Sequence, residues 1–205
     1  MGTMSKNKWK TLEFSSSQVS KSCHVSRNLW VDNKTTPKYK YLEKVSFNGA
    51  NDKKYAICIG LNPAKAEINL DETNKRLVRL LKKEYCGYYL FNIYPEITDN
   101  ATQINLEDKE NISFVSELKD ILKEEIYKDL DVILFFGRTL IIPNEFVELI
   151  RQWIDDKKKI YLTSHNGEFM HPGANASIEL QEFKKEYLQK ETVIRIKKRE
   201  RAWQK

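Results

Sequence analysis

Between residues 55 and 165 the chain repeats one pattern: a short continuous apolar run, a loop opening on Gly, Asn or His, and then, up to residue 155, apolar residues at helical spacing. The runs are YAICIG at 55–60, YYLFN at 88–92, DVILFFG at 131–137 and KKIYLT at 158–163. An unbroken apolar run of this length, closed by a turn signal, is what a strand buried on both faces requires. Three helices are predicted between them. In 71–85, Leu77, Leu80 and Leu81 share a face; in 111–127, Phe114, Val115, Leu118, Ile121, Leu122 and Ile126 do; in 145–155, Phe146, Leu149, Ile150 and Trp153 do. A last helix is expected over 177–189. Strand and helix in alternation predict an α/β domain, a three-layer sandwich around a central, mostly parallel four-stranded sheet. Upstream the pattern weakens. Residues 38–47 (KYKYLEKVSF) alternate apolar with charged positions, as an edge strand does, and Asn48-Gly49 marks a turn. Residues 1–24 are polar and read as a loose arm or an early hairpin edge. The expected organisation is an N-terminal arm or edge segment over 1–37, a single domain over 38–196 and a basic tail over 197–205.

Composition narrows the class. At 205 residues the chain suits one domain, and its 40% hydrophobic content is too apolar for a disordered one. No apolar run approaches the ~20 residues that span a bilayer, so a soluble protein with no membrane partner is expected. Cys23, Cys58 and Cys86 are odd in number and lack C-x-x-C spacing, which points to a reducing cytoplasm and to no metal site or iron–sulfur cluster. The net charge of +6 gathers at the ends, in Lys6, Lys8 and Lys10 and in Arg195, Lys197, Lys198, Arg199, Arg201 and Lys205. Such tails either attract nucleic-acid phosphates or are simply solvated termini.

Ligands of open parallel sheets bind beyond the carboxyl ends of the strands. The predicted post-strand loops hold Gly60-Leu61-Asn62-Pro63, Asn92 with Tyr94-Pro95, Gly137-Arg138, and His171-Pro172-Gly173. Each has a plainer explanation: Asn-Pro is favoured in turns, Asn92 can cap the turn before Pro95, and His165 and His171 can be loop histidines. Asp71-Glu72-Thr73 suits a positive helix start, and Arg76 a phosphate. Only their joint order carries a signal.

That ordered set, across residues 55–188, resembles the uracil-DNA glycosylase superfamily, its first motif G-x-N-P being nearest the mismatch-specific branch. It also resembles a bacterial family with N-P, D-x-T, N-x-[YF] and H-P signatures. The resemblance implies a DNA glycosylase that flips uracil, or another pyrimidine, out of DNA and hydrolyses its N-glycosidic bond. It implies Asn62 as the water-positioning residue and His171 as the donor to the oxyanion developing on the base. Asn92 would read the O4 and N3–H edge of uracil. Gly60, Leu61, Pro63, Ala64, Tyr94, Pro172 and Gly173 would line the substrate; Arg76, Arg138, Ser177, Lys197, Lys198 and Arg199 would meet DNA. It also implies no metal or other cofactor, a monomer, uracil-containing single- or double-stranded DNA as partner, and a proteinaceous glycosylase inhibitor as a second one. Two departures matter. Asn62 stands where classical uracil enzymes carry aspartate, and Ala64 where they carry the tyrosine that excludes the thymine methyl. The superfamily's stacking aromatic is missing from 66–73, with Tyr94 and Phe169 as substitutes. The alternatives are a weak or inactive relative that binds single-stranded or damaged DNA, and a hydrolase of free nucleosides.

Overall fold

The structure is a computed structural model describing residues 9–21, 23–47, 53–64, 70–136, 142–156, 158–166, 168–169, 171–173 and 177–183. Nine strands occur among them: β1 (Trp9–Ser20), β2 (Cys23–Asp32), β3 (Lys40–Phe47), β4 (Tyr55–Gly60), β5 (Gly87–Asn92), β6 (Asp131–Leu134), β7 (Ile160–His165), β8 (Glu168–Phe169) and β9 (Glu179–Glu182). The helices are α1 (Glu72–Leu81), α2 (Lys109–Ile121), α3 (Glu125–Lys128) and α4 (Asn144–Asp155). All strands join one sheet in the order β1-β2-β3-β5-β4-β6-β7-β8, with β9 also paired to β7.

This overturns the expected central four-stranded, mostly parallel sheet of a three-layer sandwich. The sheet is mixed and mostly antiparallel: β4–β5, β4–β6 and β6–β7 are the parallel pairs, while β1–β2, β2–β3, β3–β5, β7–β8 and β7–β9 run antiparallel. Periodicity reports how a strand is buried, and pairing direction leaves little trace in it. Residues 38–47 are not an edge, because β3 lies between β2 and β5. Of the two readings of the N-terminal segment, a loose arm or an early hairpin edge, residues 9–32 follow the second: they form a long hairpin at the sheet edge whose Val25, Leu29 and Val31 are buried. The expected helix over 177–189 begins instead with β9, drawn onto the free side of β7; residues 184–189 lie outside the described ones. The helix expected over 111–127 breaks into α2 and α3.

The apolar runs divide their side chains between two cores, which is why they lack alternation. Ala56 and Cys58 of β4 pack with Leu77, Val78 and Leu81 of α1, whereas Ile57 and Ile59 pack with Phe114 and Leu118 of α2 and Phe146 and Ile150 of α4. Burying each of the three α1 side chains is worth about 1.5–3 kcal/mol. That burial holds α1 against the sheet. Its first turn is capped by Asp71, whose Oδ1 accepts from the Asn74 amide at 2.7 Å.

A buried polar cluster explains the charge in β3. Glu43 is fully buried and takes Arg27 Nε on Oε1 at 2.6 Å and Lys40 Nζ on Oε2 at 3.0 Å. Those two cations hold its carboxyl below the usual range against the opposing cost of burial. Asn74 Nδ2 reaches Glu43 Oε2 at 3.4 Å and its Oδ1 accepts from the Tyr88 hydroxyl at 2.7 Å, so the cluster ties β2, β3 and β5 to the start of α1.

Candidate functional site at the strand ends

The loop after β4 is laced to the loop after β5. The Gly60, Leu61 and Pro63 carbonyls accept from the amides of Ile93, Tyr94 and Thr98 at 3.0, 2.9 and 3.0 Å. On the other side, the Phe135 amide donates to the Ile59 carbonyl at 3.0 Å. The carboxyl ends of β5, β4 and β6 therefore meet as one backbone-bonded unit.

Gly60 lies at its centre. A Cβ there would stand 2.7 Å from Asn92 Oδ1 and 2.7 Å from Phe135 Cζ, closer than side chains approach. The bare backbone is what lets the amide and the ring share that space. Asn92 is only 3% exposed, and its Oδ1 packs against Gly60 and the Phe135 ring.

Beyond Phe135 lies His171, its ring centroid 5.8 Å from that of Phe135. The Gly173 amide donates to His171 Nδ1 at 2.9 Å. Nδ1 is thus the unprotonated nitrogen, and the neutral ring carries its proton on Nε2. His171 is exposed as a residue, yet the protein packed about its ring pushes its pKa down, while the Asp71 carboxylate pulls more weakly upward. The loop sits on the first turn of α1. Arg76 Nη1 donates to the Pro172 carbonyl at 2.8 Å, and Thr73 Oγ1 lies 3.3 Å from where a Gly173 Cβ would be.

Asn62 occupies the same laced loop, half-buried, with Nδ2 donating to the Thr98 carbonyl at 2.8 Å and, at 3.4 Å, to that of Pro63. This fixes the amide and leaves Oδ1 as its remaining acceptor. Leu61 and Pro63 are buried and Ala64 is half-buried beside it.

Of the anticipated residues, the structure brings Gly60, Asn92 and His171 around Phe135, with Pro172 and Gly173 following His171 in its loop, and places Asn62 on the adjoining backbone. Tyr94 is not among them: it belongs to the α2 and α4 core, where burial raises its pKa above the ordinary tyrosine range. Arg76 binds the Pro172 carbonyl and pairs loosely with Glu72 at 3.4 Å. The exposed Ser177 gives its carbonyl to His165 Nδ1 at 2.7 Å. Arg138, Lys197, Lys198 and Arg199 lie outside the described residues, as do the side chain of Phe169 and the backbone of 174–176. Sequence reasoning missed Phe135, Asn74 and Glu43, and had Thr73 only in the helix start and the D-x-T signature. Phe135 was legible only as one more apolar residue of a strand, and Glu43 as an exposed charge.

Fold and site together define a class: a mixed-sheet α/β protein with a closely packed polar site at the carboxyl ends of its parallel strands. Residues 41–173 match the model of the family described as "Protein of unknown function (DUF1643)", and the chain belongs to that family. The match runs from β3 to Gly173 and so contains Gly60, Asn62, Asn92, Phe135 and His171; the β1–β2 hairpin lies before it. No curated protein and no solved structure matches the chain. Among the described residues no cluster of His, Cys, Asp and Glu suits a metal ion, and no helix is long and apolar enough to cross a membrane.

Proposed function

We propose that this chain is a DNA glycosylase-like hydrolase that recognises an extruded uracil, or a related pyrimidine, and hydrolyses its N-glycosidic bond. The observation that carries the reading is Asn92: a buried residue whose amide packs against Gly60 and Phe135, with the His171 loop adjoining. An amide offers one acceptor and a pair of donors on a single plane, which is the complement of the O4 and N3–H edge of uracil. Cytosine presents the reverse pattern, and is rejected where the packing of Gly60 and Phe135 about Oδ1 keeps the amide from turning over.

The chemistry follows from where charge develops. As the bond to the sugar breaks, the base leaves as an anion and the sugar becomes electron-poor, so the protein must donate to the base and place a water at the sugar. His171 suits the first task, since Gly173 occupies Nδ1 and directs the remaining N–H from Nε2. Asn62 suits the second, its Nδ2 anchored to Thr98 and its Oδ1 left to accept from water. An amide is no base, so Asn62 acts by placement, and turnover is slow. Small Ala64 leaves no wall against a 5-substituent, which extends the substrate range to 5-substituted pyrimidines. The basic termini, DNA as the partner and a cytoplasmic, monomeric protein belong to the same reading.

A second reading keeps the pocket and drops the turnover: a protein that binds single-stranded or damaged DNA without cleaving it. It is favoured by Asn62 itself, which supplies no carboxylate. Release of labelled uracil from an oligonucleotide separates the two. Wild type is expected to release uracil, with loss of at least tenfold in Asn62→Ala and in His171→Ala; tight binding of the oligonucleotide with no release by wild type selects the binding protein. Failure of both release and binding refutes the pocket as a base site.

A further inference from the structure

Arg76, Thr73 and Gly173 invite a role that the nucleobase reading does not supply. Arg76 stands on α1 beside the site with its side chain 19% exposed, where a cation is ordinarily taken for a phosphate contact. Its Nη1 instead donates to the Pro172 carbonyl at 2.8 Å. Thr73, one turn earlier on the same face, lies 3.3 Å from the position a Gly173 Cβ would take, and that same Cβ would stand 2.9 Å from His171 Nδ1. Thr73 and the imidazole thus close on the space a Gly173 side chain would need, and it is the Gly173 N–H that fixes which ring nitrogen is free.

We propose that the first turn of α1 is the seat of the His171 loop, with Arg76 and Thr73 as positioning residues that hold the imidazole in its Nε2–H form. The proposal rests on the reading of His171 as a donor only for its purpose; the placement itself is independent of any substrate. The seat is in turn anchored from below. Asp71 caps the helix through the Asn74 amide, and the Asn74 side chain is fixed between Glu43 at 3.4 Å and the Tyr88 hydroxyl at 2.7 Å. A continuous path of hydrogen bonds and contacts therefore runs from the middle of β3 and β5, through α1, to the ring of His171. It gives a physical role to the Asp71-Glu72-Thr73 segment, which the chemistry of base release leaves unused. Asp71 caps the turn, Thr73 abuts the loop, and both face the imidazole's side of the helix.

Two variants approach the seat from opposite sides. Arg76→Met removes the donor to Pro172 and keeps the apolar stem; Gly173→Ala leaves Arg76 intact and pushes on the ring. The readout is the side-chain ¹⁵N spectrum of His171 in the full-length protein, which distinguishes the two neutral tautomers, recorded near pH 8 with thermal unfolding measured alongside. Wild type is expected to show a single Nε2–H tautomer, and both variants a mixture of the two while remaining folded. Arg76→Lys, which can still donate to the carbonyl, is expected to restore the single tautomer. Binding of a duplex oligonucleotide completes the test: loss of a phosphate contact flattens the dependence of log K on log salt by about 0.9, and Arg76→Met is expected to leave that slope unchanged. A wild-type tautomer retained in both variants overturns the proposal, and retention together with a flattened slope makes Arg76 a phosphate ligand. If wild type releases no uracil but the tautomer responds as described, the seat stands and the glycosylase reading alone falls.

Discussion

Gly60 is the residue on which the site is most exacting. Its missing side chain is the space in which Asn92 Oδ1 and the Phe135 ring both lie 2.7 Å from a single point. Gly60→Ala must displace one of them, and overpacking of this kind costs about 1–3 kcal/mol. Urea unfolding should report that loss; unaltered stability would mean the ring and amide have room to spare. His171 makes a second residue-scale prediction. Its pKa is depressed, so the unfolded chain binds the extra proton more readily than the folded one. Its contribution to stability is therefore present above the ordinary histidine value of about 6.5 and is lost as pH falls below it. Protonation at Nδ1 also removes the acceptor of the Gly173 amide. The Gly173 amide signal should shift with a midpoint below 6.5, and a midpoint at or above that value would contradict the packing described. Residue-scale chemistry was partly legible in the sequence. Asn62, Asn92 and His171 could be picked out because Asn and His after apolar runs are unusual in kind. Phe135 could not, since an aromatic residue at the end of a strand looks the same whether it faces a core or a site.

At the scale of elements, β3 is the clearest lesson. Lys40, Glu43 and Lys44 gave it the look of a half-wet edge, yet Lys40 and Glu43 are buried, and the Glu43 carboxylate is shared between Lys40 and Arg27 of β2. A charge resolved by a partner sixteen residues away leaves no local periodicity to detect. Helices α1, α2 and α4 were readable because each covers the sheet with one stripe, and the runs of β4, β5, β6 and β7 because both faces are covered. Glu43→Gln should leave two buried cations without their anion and cost about 3–5 kcal/mol, the usual result of breaking a buried pair from one side. Its carboxyl is held below the ordinary range, so this support is present above the unfolded value and is lost as pH falls through the folded one. Denaturant midpoints of wild type and variant as pH is lowered should therefore converge; a constant gap down to strongly acidic pH would locate the cost elsewhere.

Across the whole molecule, the N-terminal hairpin is the feature the pattern least revealed. Strands β1 and β2 carry Ser, Asn, Lys and Glu at many outward positions and bury Arg27 inward, and β1 slips register between Phe14 and Ser17, so alternation never persists. In the fold they shield β3, and Trp9 stacks on Tyr41 with ring centroids 4.4 Å apart. Removing residues 1–37 would bare the β3 edge together with buried Tyr41 and half of the Glu43 cluster. The shortened chain should aggregate or unfold at markedly lower temperature, whereas a soluble monomer of undiminished melting temperature would show the hairpin to be dispensable. Strand direction, too, becomes apparent only at this scale, where β3 fills the flank of β5 and β8 and β9 complete β7.

The nucleobase pocket is the claim from which the functional account follows, and Asn92 is its most direct probe. Full-length wild type and Asn92→Asp should be compared for release of uracil and of cytosine from otherwise identical single-stranded oligonucleotides. The account predicts release of uracil and none of cytosine by wild type, with uracil release falling at least tenfold in the variant, because a carboxylate cannot donate to O4. Equal rates for wild type and variant, or release of both bases alike, would contradict it.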